Sequence, residues 1–170
     1  CISWMLSGIP GSSELVGIRK TLIALGVYHD VWFSEESLHR WGQVGMALAQ
    51  LQRDGFLVDK DGAVFFQNRE QRDARLRGEA LEEGTGDKDR VVRKSDGSYT
   101  YFASDIAYHA DKVARAYDRL ITVLGVDHHG YVARVRNALD ALGLSPDKFE
   151  AILYQLVYIF RDGEVVKSSK

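Results

Sequence analysis

Three groups of side chains in this chain have types and spacings that could do chemistry. The first is "VDHHG", Val126 to Gly130, which sets an Asp and two His in a row after the apolar run "RLITVLG". Asp127, His128 and His129 there suit a divalent metal, a nucleotide pocket or plain polar punctuation at a strand end. A catalytic metal wants at least three ligands held by outer partners. The further acidic pair Asp87 and Asp89 follows "EEGTG" in a charged stretch, not an apolar strand. The second group is Tyr101 and Asp105 in "YTYFASDIAYHADK". The pattern predicts that Tyr101 ends a strand and Asp105 opens a helix, so that both face one cleft mouth. An acid in a first helical turn complements the helix dipole, so a cap is the plain alternative. With Asp127 at the next strand end, however, two carboxylates converge on one sheet edge. Left alone they repel; a planar guanidinium held in a fork would relieve them. The third group is "VKSSK", whose Lys167 and Lys170 could hold triphosphate oxygens or simply form a solvated tail.

The elements that must position these groups follow from the hydrophobic pattern. Leu15, Ile18, Leu22 and Leu25 recur at helical spacing before Gly26. "DVWF" is a short strand, after which Ser34 or Ser37 caps one helix carrying Leu38, Trp41, Val44, Leu48 and Leu51. "FLVDKDGAVFF" turns at Asp61-Gly62 as a hairpin, and "VVRKSDGSYTYF" turns at Asp96-Gly97 as a second. Between them residues 67–90 are dense in charges of both signs and read as a solvated insertion. Strand 98–103, a helix over about 105–117, strand 119–124 and a helix over about 130–142 then alternate. Ser145-Pro146-Asp147 marks a new helix start and "AILYQLVYIF" a further buried strand, turned back at Gly163. The fold class expected is α/β: a Rossmann-like parallel sheet with flanking helices and inserted β-hairpins. In such sheets ligands bind beyond the carboxyl ends of the strands, where Gly125 to Gly130 falls.

At 170 residues, with 45% hydrophobic and 27% charged side chains, the chain has the composition of one globular domain. A net charge of −2 advertises no general nucleic-acid affinity, and no apolar run is long enough for a membrane span. The lone Cys1 allows neither an internal disulfide nor a cysteine zinc cluster, as expected of a cytoplasmic setting. Residues 1–13 lack a clear period and read as a junction segment foreign to the domain that fills residues 14–170.

Two family resemblances follow. The literal "DHH" resembles the DHH phosphoesterases, but "DKDR" lacks that family's apolar strand and has Arg90 where a small residue is wanted. More specifically, "DKDRVVRKSDGSYTYFASDIAYHADK", "YDRLITVLGVDHHGYVARV" and "LVYIFRDGEVVKSSK", with "DVWFSEESL" upstream, resemble the arginyl-tRNA synthetase catalytic domain in order and spacing. The resemblance implies the second half of a class I synthetase catalytic domain. Such enzymes join L-arginine to ATP, with Mg²⁺ accompanying the nucleotide, and esterify tRNA(Arg). It further implies arginine contacts at Glu36 (Glu35 being the register alternative), Tyr101, Asp105 and Asp127. ATP contacts fall at Gly125, His128 and Ser169, and Lys167 and Lys170 become the lysines steadying the triphosphate; no metal is held by the protein itself. Ser168 stands where the family's K-M-S-K-S loop has Met, and no H-x-G-H motif occurs. The expectation is therefore a segment inactive by itself, with a free sheet edge open to self-association. A metal-dependent phosphoesterase and a non-catalytic Rossmann-like binding module are the alternatives.

Overall fold

In the computed structural model, residues 3–6, 13–79, 90–155, 158 and 160–165 are described, with backbone alone at 3–6, 13–15, 127 and 129. Apolar runs separated by helical stretches need crossovers, and two βαβ crossovers result. β1 (Ser3–Leu6) pairs in parallel with β2 (Val31–Ser34) across α1 (Ser13–Ala24), so the first thirteen residues include a paired strand. β6 (Leu120–Gly125) pairs in parallel with β7 (Phe149–Tyr154) across α6 (His129–Ala141), Leu120 opposite Phe149 and Gly125 opposite Tyr154. Among the described residues these remain two separate parallel pairs.

Between them lie α2 (Glu35–Arg40), α3 (Gln43–Arg53), β3 (Leu57–Lys60), β4 (Ala63–Phe66), α4 (Arg69–Leu76), β5 (Val91–Arg93) and α5 (Tyr101–Ala114). The β3–β4 hairpin turns at Asp61 and Gly62, both at positive φ (52° and 78°), as a type I′ turn requires. β5 adds antiparallel to β4. β8 (Phe160–Arg161) and β9 (Glu164–Val165) form a last hairpin over Asp162-Gly163.

Several boundaries differ from the sequence expectation. The single helix after "DVWF" is two, α2 and α3, broken where Gly42 adopts φ 69°; Trp41, expected on the buried stripe, is exposed. Part of the "solvated insertion" is α4. Its start is fixed by a capping box: the Asn68 side chain accepts from the Gln71 N–H, and Gln71 Oε1 accepts from the Asn68 N–H. Arg75 donates to the Gly55 carbonyl at 2.6 Å and anchors the helix without burying an apolar face. The second hairpin is shorter than expected, Tyr99 making one bridge to Arg93. Helix α5 begins at Tyr101, ahead of the expected 105, because Thr100 caps it. Pro146 opens only a 3₁₀ turn, Pro146–Lys148. The "AILYQLVYIF" strand is β7, shifted to Phe149–Tyr154, and its carboxyl half is exposed rather than buried.

The core gathers Leu38, Val44, Leu48 and Leu51 from α2 and α3 against Phe56, Val64, Phe66 and Val92 of the antiparallel sheet. Phe102, Ile106 and Tyr108 of α5 close it. A smaller cluster, Val135, Leu139 and Phe149, seats α6 on the β6–β7 pair. Helix α5 thus sits between both clusters, which makes it the rigid platform for whatever its flank carries.

Candidate active site

The site is built on the first turns of α5. The Thr100 hydroxyl donates to the Val91 carbonyl at 2.6 Å and accepts from the Ala103 N–H at 3.4 Å, tying the helix start to β5. Tyr101 and Asp105 consequently stand one helical turn apart on the same element, not on a strand and a helix. Tyr101 is 80% exposed. The Asp105 carboxyl is largely withdrawn from water, and that burial pushes its pKa up to about 6. The Tyr131 hydroxyl on α6 donates to it and favours the anion, as do Arg134 and His128 more weakly; Glu35 on α2 opposes them. Burial wins. Tyr131 answers in kind, its phenol pushed up by burial and by the Asp105 charge.

The two acids that open α2 are placed differently. Glu35 is only 9% exposed and its charge acts on Asp105, whereas Glu36 is exposed and pairs with Arg40 at 2.9 Å. Among the described residues no salt bridge reaches Glu35. Glu35 also lines a cavity of ≈ 390 Å³ with His39, Lys94, Thr100, Tyr101 and Ser104, which brings Tyr101 to the same opening. His39 Nε2 meets the buried Ser104 hydroxyl at 3.1 Å across that wall.

One turn beyond Asp105, His109 is 2% exposed. Its Nδ1–H donates to the Asp105 carbonyl at 2.8 Å, which leaves Nε2 as an acceptor without a hydrogen-bond partner among the described residues. The ring lies edge-on to Phe149 and Tyr131, and burial pulls its pKa down to about 4, so the imidazole is neutral.

The remaining candidates are placed by backbone. Gly125 ends β6, and Asp127 lies in the 3₁₀ turn Val126–His128 that follows it, its side chain outside the described set. His128 is exposed at the start of α6. Lys167, Ser168, Ser169 and Lys170 lie outside the described residues, as do Asp87 and Asp89. Among the described residues no three His, Cys, Asp or Glu side chains gather as a metal site would require. Sequence reasoning passed over Tyr131, Arg134 and the Glu35–Asp105 approach. Thr100 was the available signal: a cap there starts the helix at Tyr101 and rotates Asp105 toward α6.

Comparison with known proteins adds the lineage. A relative named arginine–tRNA ligase from Moorella thermoacetica is 43% identical over 157 residues, and one from Desulforudis audaxviator 45% identical over 157. The chain is homologous to a segment of the arginyl-tRNA synthetases. Each match covers 92% of this chain but 26% of the relative, so the chain spans about a quarter of the synthetases it matches. A solved Campylobacter jejuni structure described as an arginyl-tRNA synthetase superposes with a TM-score of 0.72 at 31% identity, over 92% of this chain and 31% of that one. No family model matches the chain. The synthetase relationship agrees with the resemblance read from "VDHHG" and its neighbours, and with the α/β class of parallel strands and inserted hairpins.

Proposed function

We propose that this chain supplies the arginine-recognising wall of an arginine–tRNA ligase catalytic domain. The observation that carries the reading is that Glu35, a buried acid lining an open cavity, acts electrostatically on the largely buried Asp105 carboxyl. Two buried anions side by side are costly until a cation sits between them. The arginine guanidinium is that cation: planar, permanently charged and able to donate to both carboxylates at once. Glu35 takes the role first read at Glu36. Tyr101 stands at the cavity mouth and Asp127, at the end of β6, holds the amino-acid end of the substrate. Tyr131 keeps the Asp105 carboxylate oriented through its hydroxyl.

In the parent enzyme ATP lies along Gly125, His128 and Ser169, with Lys167 and Lys170 on its phosphates. Mg²⁺ would accompany the nucleotide, an ion that usually binds through substrate phosphates, and would offset charge on them. The arginine carboxylate attacks the α-phosphorus, pyrophosphate leaves, and arginine is then esterified to tRNA(Arg). Charge stabilisation carries the step, with no side-chain nucleophile. No helix among the described residues is long and apolar enough to cross a membrane. We place the parent in the cytoplasm and read the open strand edges as surfaces for association.

ATP–pyrophosphate exchange tests this reading. In the parent enzyme Asp105→Asn should weaken arginine recognition by about 2–5 kcal/mol, the range for removing one member of a buried charged pair. The isolated 170-residue chain should show no turnover. An unchanged arginine KM and kcat in the variant would reduce Asp105 to a structural carboxyl.

A further inference from the structure

Helix α2 carries two acid–base pairs at i, i+4 spacing, and they are used differently. Glu36 and Arg40 close on each other at 2.9 Å in an exposed ion pair. Glu35 and His39 are the equivalent pair on the wall of the ≈ 390 Å³ cavity, opposite Tyr101 and Ser104 of α5. Among the described residues these two form no ion pair with each other; His39 Nε2 lies instead 3.1 Å from the Ser104 hydroxyl. Ser104 is 2% exposed, so its hydroxyl turns to the imidazole in place of water. A serine hydroxyl both donates and accepts, and it therefore meets Nε2 in either tautomer. The imidazole also stacks on Tyr99 of the same cavity wall, with centroids 6.1 Å apart and planes at 28°. An exposed side chain is thus held twice, at a buried hydroxyl of α5 and against a ring tied by one bridge to β5.

We propose that His39 is a positioning residue for arginine, acting through Ser104. The inference rests on the arginine contact proposed at Glu35. The bond between His39 and Ser104 does two things. It sets the spacing between the α2 face that carries Glu35 and the α5 face that carries Tyr101. It also commits the imidazole to a hydroxyl, so that the base one turn along α2 does not take the carboxylate the guanidinium needs. A guanidinium donates through a rigid planar fork, which makes its grip on a carboxylate sensitive to small displacements of that carboxylate.

The test is ATP–pyrophosphate exchange in the parent enzyme, with tRNA present and arginine varied. His39→Ala, Ser104→Ala and the double variant are compared with His39→Gln, whose amide reaches the Nε2 position and can still bond the hydroxyl. The expected result is an arginine KM raised about fivefold in each single alanine variant, the size of one lost hydrogen bond, with kcat and the ATP KM little changed. The double variant should match the singles, since all three remove the same bond, and His39→Gln should restore most of the affinity. A role confined to folding would lower the amount of active enzyme, and so kcat, while leaving the arginine KM where it was. His39 is exposed, so its variants keep the test open if Ser104→Ala unfolds. Glu35→Gln, assayed alongside, separates this inference from the reading beneath it. An unchanged arginine KM in Glu35→Gln overturns the arginine role of Glu35, and the positioning role falls with it. A raised KM in Glu35→Gln with an unchanged one in His39→Ala overturns the positioning role alone. Effects of the two alanine variants that multiply in the double variant overturn it equally, because they report two separate interactions.

Discussion

Asp105 and His109 sit one turn apart on α5, and their burial acts on stability in opposite directions with pH. Asp105 is pushed from an ordinary 3.8 to about 6. That corresponds to about 3 kcal/mol against the folded state when the carboxylate is ionised. Its contribution is fully present below 3.8 and is lost as pH rises through about 6. His109 is pulled from 6.5 to about 4. It contributes about 3 kcal/mol above pH 6.5, where both states hold it neutral, and loses this as pH falls through about 4. The two terms are alike in size and nearly alike in window, so the wild-type chain should show a flat stability profile between about pH 4 and 6.5. Asp105→Asn removes one of them. The variant should gain up to about 3 kcal/mol at pH 7.5, reduced by a weaker bond from Tyr131, and then lose stability steeply on acidification as His109 alone titrates. The groups facing Asp105, namely Glu35 on α2, His128, and Tyr131 and Arg134 on α6, stay in place. Urea unfolding followed by tryptophan fluorescence from pH 4 to 8 measures both arms. A variant less stable than wild type at pH 7.5, or one whose profile stays flat into acid, would refute the reasoning.

Two further outcomes are expected. Lys112 donates to the Thr122 hydroxyl at 3.0 Å and lies over the Tyr108 ring, yet burial, with Arg115 nearby, pulls its pKa down to about 8. Lys112→Met keeps the packing and removes the buried charge. It should raise thermal stability at pH 7 by about 1–2 kcal/mol net of the lost hydrogen bond, and a lowered melting temperature would show that the Thr122 bond outweighs desolvation. Gly42, at φ 69° between α2 and α3, has open space on the side where an alanine methyl would project, with no atom within 4 Å. Gly42→Ala should cost about 1 kcal/mol from backbone strain alone. The urea midpoint should fall with an unchanged slope; no change in midpoint would mean the break tolerates another backbone conformation.

Much of this architecture was legible because its signals are local. Asp61-Gly62 announces its own turn, and Val135 and Leu139 keep helical period whatever surrounds them. The misses came where a local signal was outvoted. The charge density of residues 69–76 masked the Asn68–Gln71 capping box, although a cap acts on backbone groups and is indifferent to the charge that follows. "SYTYF" has strand propensity, but the Thr100 hydroxyl, held by the Val91 carbonyl, ends the pairing after one bridge. At the candidate site, Asp105 could be singled out from the sequence because Tyr101 before it and Asp127 at the next strand end accompany the synthetase resemblance. Its neighbours could not. Whether Glu35 or Glu36 faces inward depends on where α2 starts, and the nearness of Tyr131 and Arg134 depends on how α6 docks. These are long-range packing facts, invisible to spacing within one segment.

Helix α5 has one further consequence. It presents Asp105 to Tyr131 of α6 while Phe102, Ala103, Ser104, Ile106 and Ala107, its immediate neighbours along the chain, are buried. A helix locked at residues before and after Asp105 cannot rotate or slide to meet a differently shaped partner without opening the core. Adaptation is left to the opposing side, where α2 ends at the Gly42 break and the 126–128 turn precedes α6. On the arginine-binding role proposed above, the region therefore has one fixed jaw, α5, and its room to adjust on the other. Substitutions that alter what it accepts should accumulate on the second, since changes on the first are felt as loss of fold before they are felt as change of preference.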